Sequence, residues 1–267
     1  MVRRLAAFFI QQVFSGKRVL YICGMRRSGN HAFVDWLTNA IEARKVTYKI
    51  EKEFYPFRIS DSGDTVFLNE VNMISGKEYL KILMKRFRRI RACKTVIISA
   101  EDVAPNYNNF RIPNPVYSIY VERSLLNLIA SRLHNLKRYA ADGIGWSRQN
   151  VDLIFFNRIK SWRDPSGFQV WKYDEWLKSP SYRKEFLKSL DLEHDLVPGL
   201  STDGGGSSIT EKTKTPVPKE AMTRYNQVEF PKWIVEQLLS DGIRELLSPT
   251  ELEFLNQKTA SETDGST

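Results

Sequence analysis

Short apolar runs rich in β-forming residues alternate with segments of helical periodicity along most of this chain. The runs that predict strands are 18–23, 46–50, 65–71, 95–99, 116–121 and 168–173. The segments that predict helices are 31–44, 77–91, 125–139, 151–162 and 181–190. Strands that alternate with helices form βαβ units, and apolar strands without polar alternation are buried on both faces. The sequence therefore predicts an α/β fold with three layers and a central, mainly parallel sheet.

This pattern is compatible with one domain over residues 1–256, followed by a polar, disordered tail over 257–267. The chain has 267 residues, of which 42% are hydrophobic, so it can bury a large core; a disulfide scaffold and a disordered chain are excluded. A Pro- and Asn-rich loop over 104–115 and a Gly-, Ser- and Thr-rich segment over 198–218 interrupt the pattern. Long segments of this kind are commonly functional or disordered.

The N-terminal segment pairs basic residues with a short apolar stretch over 5–10, which we interpret as a helix lying on the domain rather than a targeting segment. No apolar run approaches the ~18–20 residues of a membrane helix. We expect a cytoplasmic protein without a membrane span. The two cysteines, Cys23 and Cys93, each adjoin a predicted strand and are expected to be reduced, buried thiols.

The net charge of the chain limits the chemical classes of partner that we expect. Lys and Arg number 40 against 31 acidic residues, which gives a net charge of +9. Such a chain favours anionic partners: a phosphorylated cofactor, a sulfated or phosphorylated acceptor, nucleic acid or an acidic membrane. The basic run over 85–94 is interpreted as a solvated stripe on a helix, with an anionic acceptor or nucleic acid as alternatives. No zinc-finger, RNA-recognition or helix-turn-helix pattern accompanies it, so no nucleic-acid partner is expected.

The segment 24–31 (GMRRSGNH) lies directly between a predicted strand and a predicted helix. Two glycines separated by four residues, followed by a helix N-terminus, form a turn that cradles phosphate. A nucleoside triphosphatase places Lys and Ser/Thr after the second glycine, to reach the phosphates and to hold Mg²⁺. Asn30 and His31 occupy those places here, and Arg26 and Arg27 supply the charge. The turn is therefore suited to an anion but not to Mg·ATP.

The segment 24–37 resembles the 5′-phosphosulfate loop of sulfotransferases that use 3′-phosphoadenosine 5′-phosphosulfate (PAPS). Arg27 stands where that family usually has Lys, and Asn30 where it usually has Thr. The resemblance implies a P-loop-like first βα turn, PAPS as cofactor, PAP as product and no metal. It also implies cofactor contacts from Arg26, Arg27, Ser28, Gly29, Asn30 and His31.

Two later segments extend the resemblance. Sulfotransferases place an Arg at the end of a strand and a Ser eight residues later to hold the 3′-phosphate, and Arg123 and Ser131 have that separation, with Ser124 as a helix cap. A late glycine-containing loop covers the 3′-phosphate in the family, which places Gly205, Gly206 and Ser207 in the predicted cofactor site.

Sulfuryl transfer needs a base for the proton of the acceptor hydroxyl or amine. Glu101 follows the strand 95–99 and lies 22 residues before Arg123, about where many family members have His, so it is the first candidate. Glu70, which ends another strand, is the second. Arg27 is expected to stabilise charge on the leaving phosphate and sulfonyl oxygens.

These residues together predict a sulfotransferase that acts on a hydroxyl or amine of a small-molecule or carbohydrate acceptor, which the positive charge allows to be anionic. One alternative is a P-loop kinase or another nucleotide-dependent transferase. Another is a non-catalytic protein that binds a polyanion. The sequence leaves the acceptor and the oligomeric state open.

Overall fold

The computed structural model describes residues 2–50, 57–103, 115–141, 166–197 and 223–263. The chain divides into two compact units: Met1–Glu122 with Pro165–Gly204, and Arg123–Asp164 with Gly205–Thr267. The sequence had suggested a single domain over 1–256. The predicted helix over 151–162, nearly all of the loop 104–115 and the segment 198–218 lie outside the described residues.

Unit 1 contains the sheet, and its elements follow the predicted alternation of strand and helix. In chain order they are α1 (Val2–Phe14), β1 (Arg18–Gly24), α2 (Asn30–Glu42), β2 (Tyr48–Ile50), β3 (Phe57–Ser60), β4 (Thr65–Leu68), α3 (Gly76–Ala92), β5 (Thr95–Glu101), β6 (Tyr117–Glu122), β7 (Gln169–Lys172), α5 (Tyr173–Lys178) and α6 (Pro180–Ser189). The label α4 is kept for a helix of unit 2. The six predicted strands are all present, and β3 is an additional one.

The sheet of the described residues has seven strands in the order β2-β3-β4-β5-β1-β6-β7. All pairs among β4, β5, β1, β6 and β7 are parallel, and β3 alone runs against the others because it pairs antiparallel with both β2 and β4. The predicted α/β fold with a mainly parallel sheet is confirmed. The register places Gly24 opposite Glu101 on one side and Val121 on the other, so β1, β5 and β6 end together.

An aromatic cluster joins α2 to the sheet and to α5 and α6. The Phe33 and Trp171 rings lie 4.5 Å apart between centroids, and Trp176 lies 5.4 Å from Trp171 and 6.0 Å from Trp36. Trp36 also donates a 2.9 Å hydrogen bond to Asp195. These side chains are buried, and aromatic residues dominate core energetics because each buries a large apolar area. The cluster fixes α2, whose N-terminus carries the predicted phosphate turn.

Helices α1 and α3 contact each other, with the Phe9 and Phe87 rings stacked at 6.4 Å. A capping box starts α3: Ser75 Oγ accepts from Glu78 N at 3.2 Å, and Glu78 Oε2 accepts from Ser75 N at 2.9 Å. Such a box satisfies two backbone donors that the helix itself leaves open. The N-terminal segment is thus a helix packed on unit 1, as predicted.

The described residues of unit 2 form α4 (Leu125–Ala141), α7 (Lys232–Leu238) and α8 (Pro249–Thr263) with two 3₁₀ turns. Ser124 accepts from Asn127 N at 3.4 Å, which confirms its predicted role as the cap of α4. Glu251 of α8 strengthens this end by accepting from Leu126 N at 2.8 Å and from Ser124 Oγ at 2.7 Å. Because α8 continues to Thr263, helix occupies 257–263, where the polar composition had suggested a disordered tail.

Both cysteines are buried and free, as predicted. Burial raises the pKa of Cys93 to about 11 and raises the pKa of Cys23 further, so neither is a reactive thiolate. Within the described ranges, no helix combines the length and the apolar character needed to cross a membrane.

Candidate functional site

The turn between β1 and α2 has left-handed backbone at two positions. Arg27 has φ 77° and Gly29, the N-cap of α2, has φ 102°. Ser28 N donates to Met25 O at 3.1 Å and closes the turn between them. Gly29 contributes no side-chain hydrogen bond to the helix start. The turn lies between strand and helix, as the sequence predicts.

Both glycines of this turn lie so close to neighbouring atoms that a side chain would not fit at either position. A Cβ at Gly29 would lie 2.4 Å from Cδ2 of Tyr173, the first residue of α5. A Cβ at Gly24 would lie 2.8 Å from Asn30 Oδ1 and 3.0 Å from Val121 Cβ. Real Cβ atoms do not approach so closely, so the glycine spacing seen in the sequence has a steric cause in the fold.

Arg26 is surrounded by carboxylates from the neighbouring strand ends. Its Nη2 lies 3.2 Å from Glu70 Oε1, and its Nε lies 3.5 Å from Glu101 Oε2. Its backbone N donates to Asp102 Oδ1 at 2.9 Å. These contacts join β1 to the ends of β4 and β5 at the carboxyl edge of the sheet. The predicted contact of Arg26 with the cofactor stays a prediction.

The side chains of Ser28 and Asn30 point into the protein, where they are 1% and 4% exposed. Ser28 Oγ donates to Met25 O, and Asn30 Nδ2 donates to Glu101 Oε1 at 2.7 Å. As placed, these two side chains shape the turn. Among the predicted cofactor residues in 26–31, the side chains of Arg26, Ser28 and Asn30 thus contact Met25 or the carboxylates, and His31 lies beside Asn69.

Glu101 is a buried acid at the end of β5 and is only 5% exposed. Burial raises its pKa to about 8, with a further increase from the nearby Glu70, although the Asn30 hydrogen bond and Arg26 act in the opposite direction. Asn72 holds its backbone by accepting from Glu101 N at 3.1 Å and donating to Glu101 O at 2.8 Å. Burial and the neighbouring Glu70 thus favour the protonated form of Glu101.

The other member of the pair, Glu70, follows β4 with a left-handed φ of 47°. Its N donates to Ser99 Oγ at 3.0 Å, and Ser99 Oγ donates to Asn69 Oδ1 at 3.1 Å. Asn69 Oδ1 also lies 3.3 Å from His31 Nε2, at the first turn of α2. One polar network thus joins the phosphate turn to the ends of β4 and β5.

The remaining predicted cofactor residues belong to unit 2. Arg123 directly follows β6 and is half-buried, and Ser131 lies within α4 and is 5% exposed. Their assignment to a 3′-phosphate stays a prediction. Gly205, Gly206 and Ser207 lie outside the described residues.

Three residues of the site were not singled out from the sequence: Asn72, Asp102 and Tyr173. The signal for Asn72 and Asp102 was their position just after predicted strands, because parallel strands that end together bring their following residues to one edge. Tyr173 ends the predicted strand 168–173, and its closeness to Gly29 depends on where α5 packs.

Among the described residues, no group of three or more His, Cys, Asp or Glu side chains could hold a metal ion. The predicted absence of a metal stays a prediction.

Compared with protein-family models, with curated proteins and with solved structures, the chain matches none. Its function is therefore inferred from its own residues.

Proposed function

We propose that the protein is a sulfotransferase that binds PAPS at the turn over 24–31 and transfers its sulfuryl group to a hydroxyl or amine. One observation carries this proposal: Asn30 follows the second glycine, and its side chain donates to Glu101 at 2.7 Å. The lysine with which a nucleoside triphosphatase reaches the phosphates would stand there, and His31 occupies the place of its Mg²⁺-binding hydroxyl. An amide tied to a buried acid supports an anion site that works through Arg27 and backbone amides.

Each residue of the turn has a separate role in the proposed binding. Arg27 provides a bidentate cation for the phosphosulfate, and the first amides of α2 add their partial positive charge. Arg26 positions the turn because its guanidinium pairs with Glu70 and Glu101. The proposal retains Arg123 and Ser131 as the 3′-phosphate contacts, and it includes a three-layer, P-loop-like arrangement.

In the proposed reaction the acceptor oxygen or nitrogen attacks sulfur, opposite to the bridging oxygen of the phosphosulfate. The bond from sulfur to that oxygen breaks, PAP leaves as an anion, and the acceptor proton passes to a carboxylate. Arg27 stabilises the charge that develops on the leaving oxygen. PAP leaves in its ionised form, so no residue has to protonate it. Arginine, whose very high pKa makes it a poor proton donor, can therefore serve at this position.

The structure favours Glu70 over Glu101 as the group that takes this proton, which reverses the order predicted from sequence. The Glu70 side chain is 15% exposed, against 6% for Glu101. A carboxyl group with a pKa of about 8 is mostly protonated at pH 7 and is then no base. We therefore assign Glu101 to holding the shared proton behind Glu70.

Calorimetric titration with PAP in EDTA tests the cofactor assignment. We expect saturable binding without a divalent metal, and weaker binding of AMP, which lacks the 3′-phosphate. Arg123→Ala should weaken PAP by roughly 10- to 150-fold, the loss of one charge-assisted contact, and should leave AMP nearly unchanged. Binding that requires Mg²⁺ and prefers ATP would instead support a kinase, and equal affinity for PAP and AMP would support a polyanion-binding protein.

Turnover of labelled PAPS with a panel of hydroxyl and amine acceptors tests the chemistry. Glu70→Gln should lower the rate by ~10²–10⁴ while PAP affinity stays near that of the wild type. Glu101→Gln is the matched control, because an amide resembles the protonated carboxyl that it replaces. If Glu101→Gln is inactive and Glu70→Gln is active, the order predicted from the sequence is correct and ours is wrong.

A further inference from the structure

The positive charge of the chain is concentrated on two helices of unit 1 that are remote in sequence from the phosphate turn. Together α1 and α3 contain nine Lys or Arg residues and one acid, Glu78, which is a net charge of +8. The whole chain has a net charge of +9. The other residues are thus almost neutral in sum, so the cofactor site does not account for the basic character of the protein.

The same helices expose large apolar side chains. Leu5 and Phe8 of α1 are 61% and 62% exposed, and Met84 of α3 is 67% exposed. Phe87, one turn beyond Met84, is 37% exposed and stacks on Phe9 of α1. Leu5 lies one turn before Phe9 on α1, and Met84 lies one turn before Phe87 on α3, so exposed apolar side chains of both helices adjoin the contact between Phe9 and Phe87.

Basic side chains share this surface with the apolar ones. Lys77, Lys81, Met84, Arg88 and Arg91 recur at the three- and four-residue spacings that place residues on one face of α3, and all five are exposed. On α1, Arg4 precedes Leu5 and is exposed as well. We call this surface the α1–α3 face and define it by Arg4, Leu5, Phe8, Lys81, Met84, Lys85 and Arg88.

We propose that the α1–α3 face binds the surface of an anionic lipid bilayer. An interfacial helix combines apolar side chains that enter the boundary of headgroups and acyl chains with Lys and Arg that meet anionic lipids. Phe8, Leu5 and Met84 supply the first part, and the basic stripe of α3 supplies the second. The capping box at Ser75 preforms α3, so the face needs no folding step before it binds.

The apolar groups decide between a bilayer and nucleic acid. A nucleic-acid surface is held through phosphates and base edges by hydrogen-bond donors, and exposed Leu and Met at its centre would lose water contacts without gaining a partner. In a bilayer those side chains leave water for an apolar environment, which is favourable. Anionic lipid is therefore the occupant that uses all the residues of the face.

Co-sedimentation of the full chain with vesicles tests this proposal independently of PAPS chemistry. We expect binding to phosphatidylcholine–phosphatidylserine vesicles of about 3:1 composition, little binding to pure phosphatidylcholine, and weakening by added salt. The triple variant Lys81→Gln, Lys85→Gln, Arg88→Gln should reduce partitioning roughly 100-fold. A matched control removes three exposed charges elsewhere in unit 1 with Lys178→Gln, Lys184→Gln, Lys188→Gln and should bind like the wild type.

A second variant tests the contribution of the exposed apolar side chains to lipid binding. Leu5→Gln, Phe8→Gln, Met84→Gln keeps every charge and should lower partitioning by at least ~10-fold, with unchanged thermal unfolding because the three side chains are exposed. Val116→Gln, at a similarly exposed apolar position, is the control and should bind normally. Failure of the wild type to bind the anionic vesicles overturns the proposal. So does full binding by the apolar variant, and so does tighter binding of duplex DNA that this variant retains.

Discussion

The phosphate turn and the α1–α3 face are both rich in arginine and lysine, but they use these residues in opposite ways. At the turn, Arg26 lies among Glu70, Glu101 and Asp102, all within the network at the strand ends. On α3, seven basic residues share 17 positions with one acid. The guanidinium of Arg26 joins the strand ends, whereas six of the seven cations on α3 are exposed.

This difference shows that net charge is a poor guide to where an anion binds. Arg26 lies among three carboxyl groups, so the turn is formally acidic, even with Arg27 counted, unless a proton neutralises one of them. Burial and the neighbouring Glu70 raise the pKa of Glu101, which favours this protonation. The anion binding proposed for the turn should therefore depend on pH, whereas the lipid binding proposed for the α1–α3 face should depend on salt.

The turn should be far less tolerant of an added methyl group than an exposed turn of similar backbone. Gly29→Ala combines left-handed strain with the clash against Tyr173, which should cost about 3–4 kcal/mol of unfolding free energy. Gly63→Ala is the matched control, because Gly63 also has positive φ but nothing within 4 Å of its Cβ position. It should cost about 1–2 kcal/mol. Denaturant unfolding measures the loss of unfolding free energy for both variants. Equal losses would show that the Tyr173 ring moves aside to make room for the added methyl group.

Removing one arginine from each region tests the comparison directly. Arg26→Ala leaves the buried carboxyl groups of Glu70 and Glu101 without their cation, and the loss should be roughly 2–3 kcal/mol, below that of a fully buried pair because Arg26 is 30% exposed. Arg88→Ala on α3 should change stability by less than about 0.5 kcal/mol. Thermal unfolding at matched pH measures both. A large effect at Arg88 would contradict the description of α3 as a solvated face.

The protonation of Glu101 predicts how stability depends on pH. Its pKa is raised from 4.5 to about 8, so between these values the folded state binds more protons than the unfolded state and stability falls as pH rises. Glu101→Gln should flatten the slope, which unfolding at pH 5, 7 and 9 would show. PAP affinity should fall as the pH rises through about 8, where the folded protein loses this proton, and a flat profile for the wild type would contradict the shared proton.

The smallest effect is expected at the start of α3. Ser75→Ala removes the hydroxyl that caps Glu78 N and should cost ~1 kcal/mol. Lys77, Lys81, Lys85 and Arg89 repel one another at four-residue spacing, so added salt should restore part of the loss. Urea unfolding at two salt concentrations measures this. Insensitivity to salt would mean that the like charges of α3 do not strain the helix.

The sequence predicts β1, β4 and β5 well because each contains an uninterrupted apolar run. It does not predict β3, Phe57–Ser60, whose second residue is Arg58. This arginine is 8% exposed and lies over the Phe67 ring at 5.7 Å, so a charged residue occupies a strand position that a pattern of apolar residues does not reveal. Burial of its guanidinium depends on β4, which no local pattern encodes.

The candidate site also has features that the sequence predicts and features that depend on the fold. Glycine spacing and the adjoining strand locate the turn, because both are local in sequence. The partners of Arg26 are not local: Glu70 and Glu101 meet it only because β4, β5 and β1 are adjacent in the sheet order. The protonation of Glu101 likewise depends on burial and on a neighbour 31 positions away in sequence, so the sequence alone ranked it as a base.

The aromatic cluster behind α2 has an optical consequence. Tyr173 packs on Gly29 of the turn, and its ring lies 5.9 Å from Trp171 and 5.8 Å from Trp176. Indole emission responds to the polarity and motion of its surroundings, so a displacement of Tyr173 on the anion binding proposed for the turn would alter the fluorescence of both tryptophans. Tryptophan emission is therefore a way to follow titrations with PAP without attaching a dye.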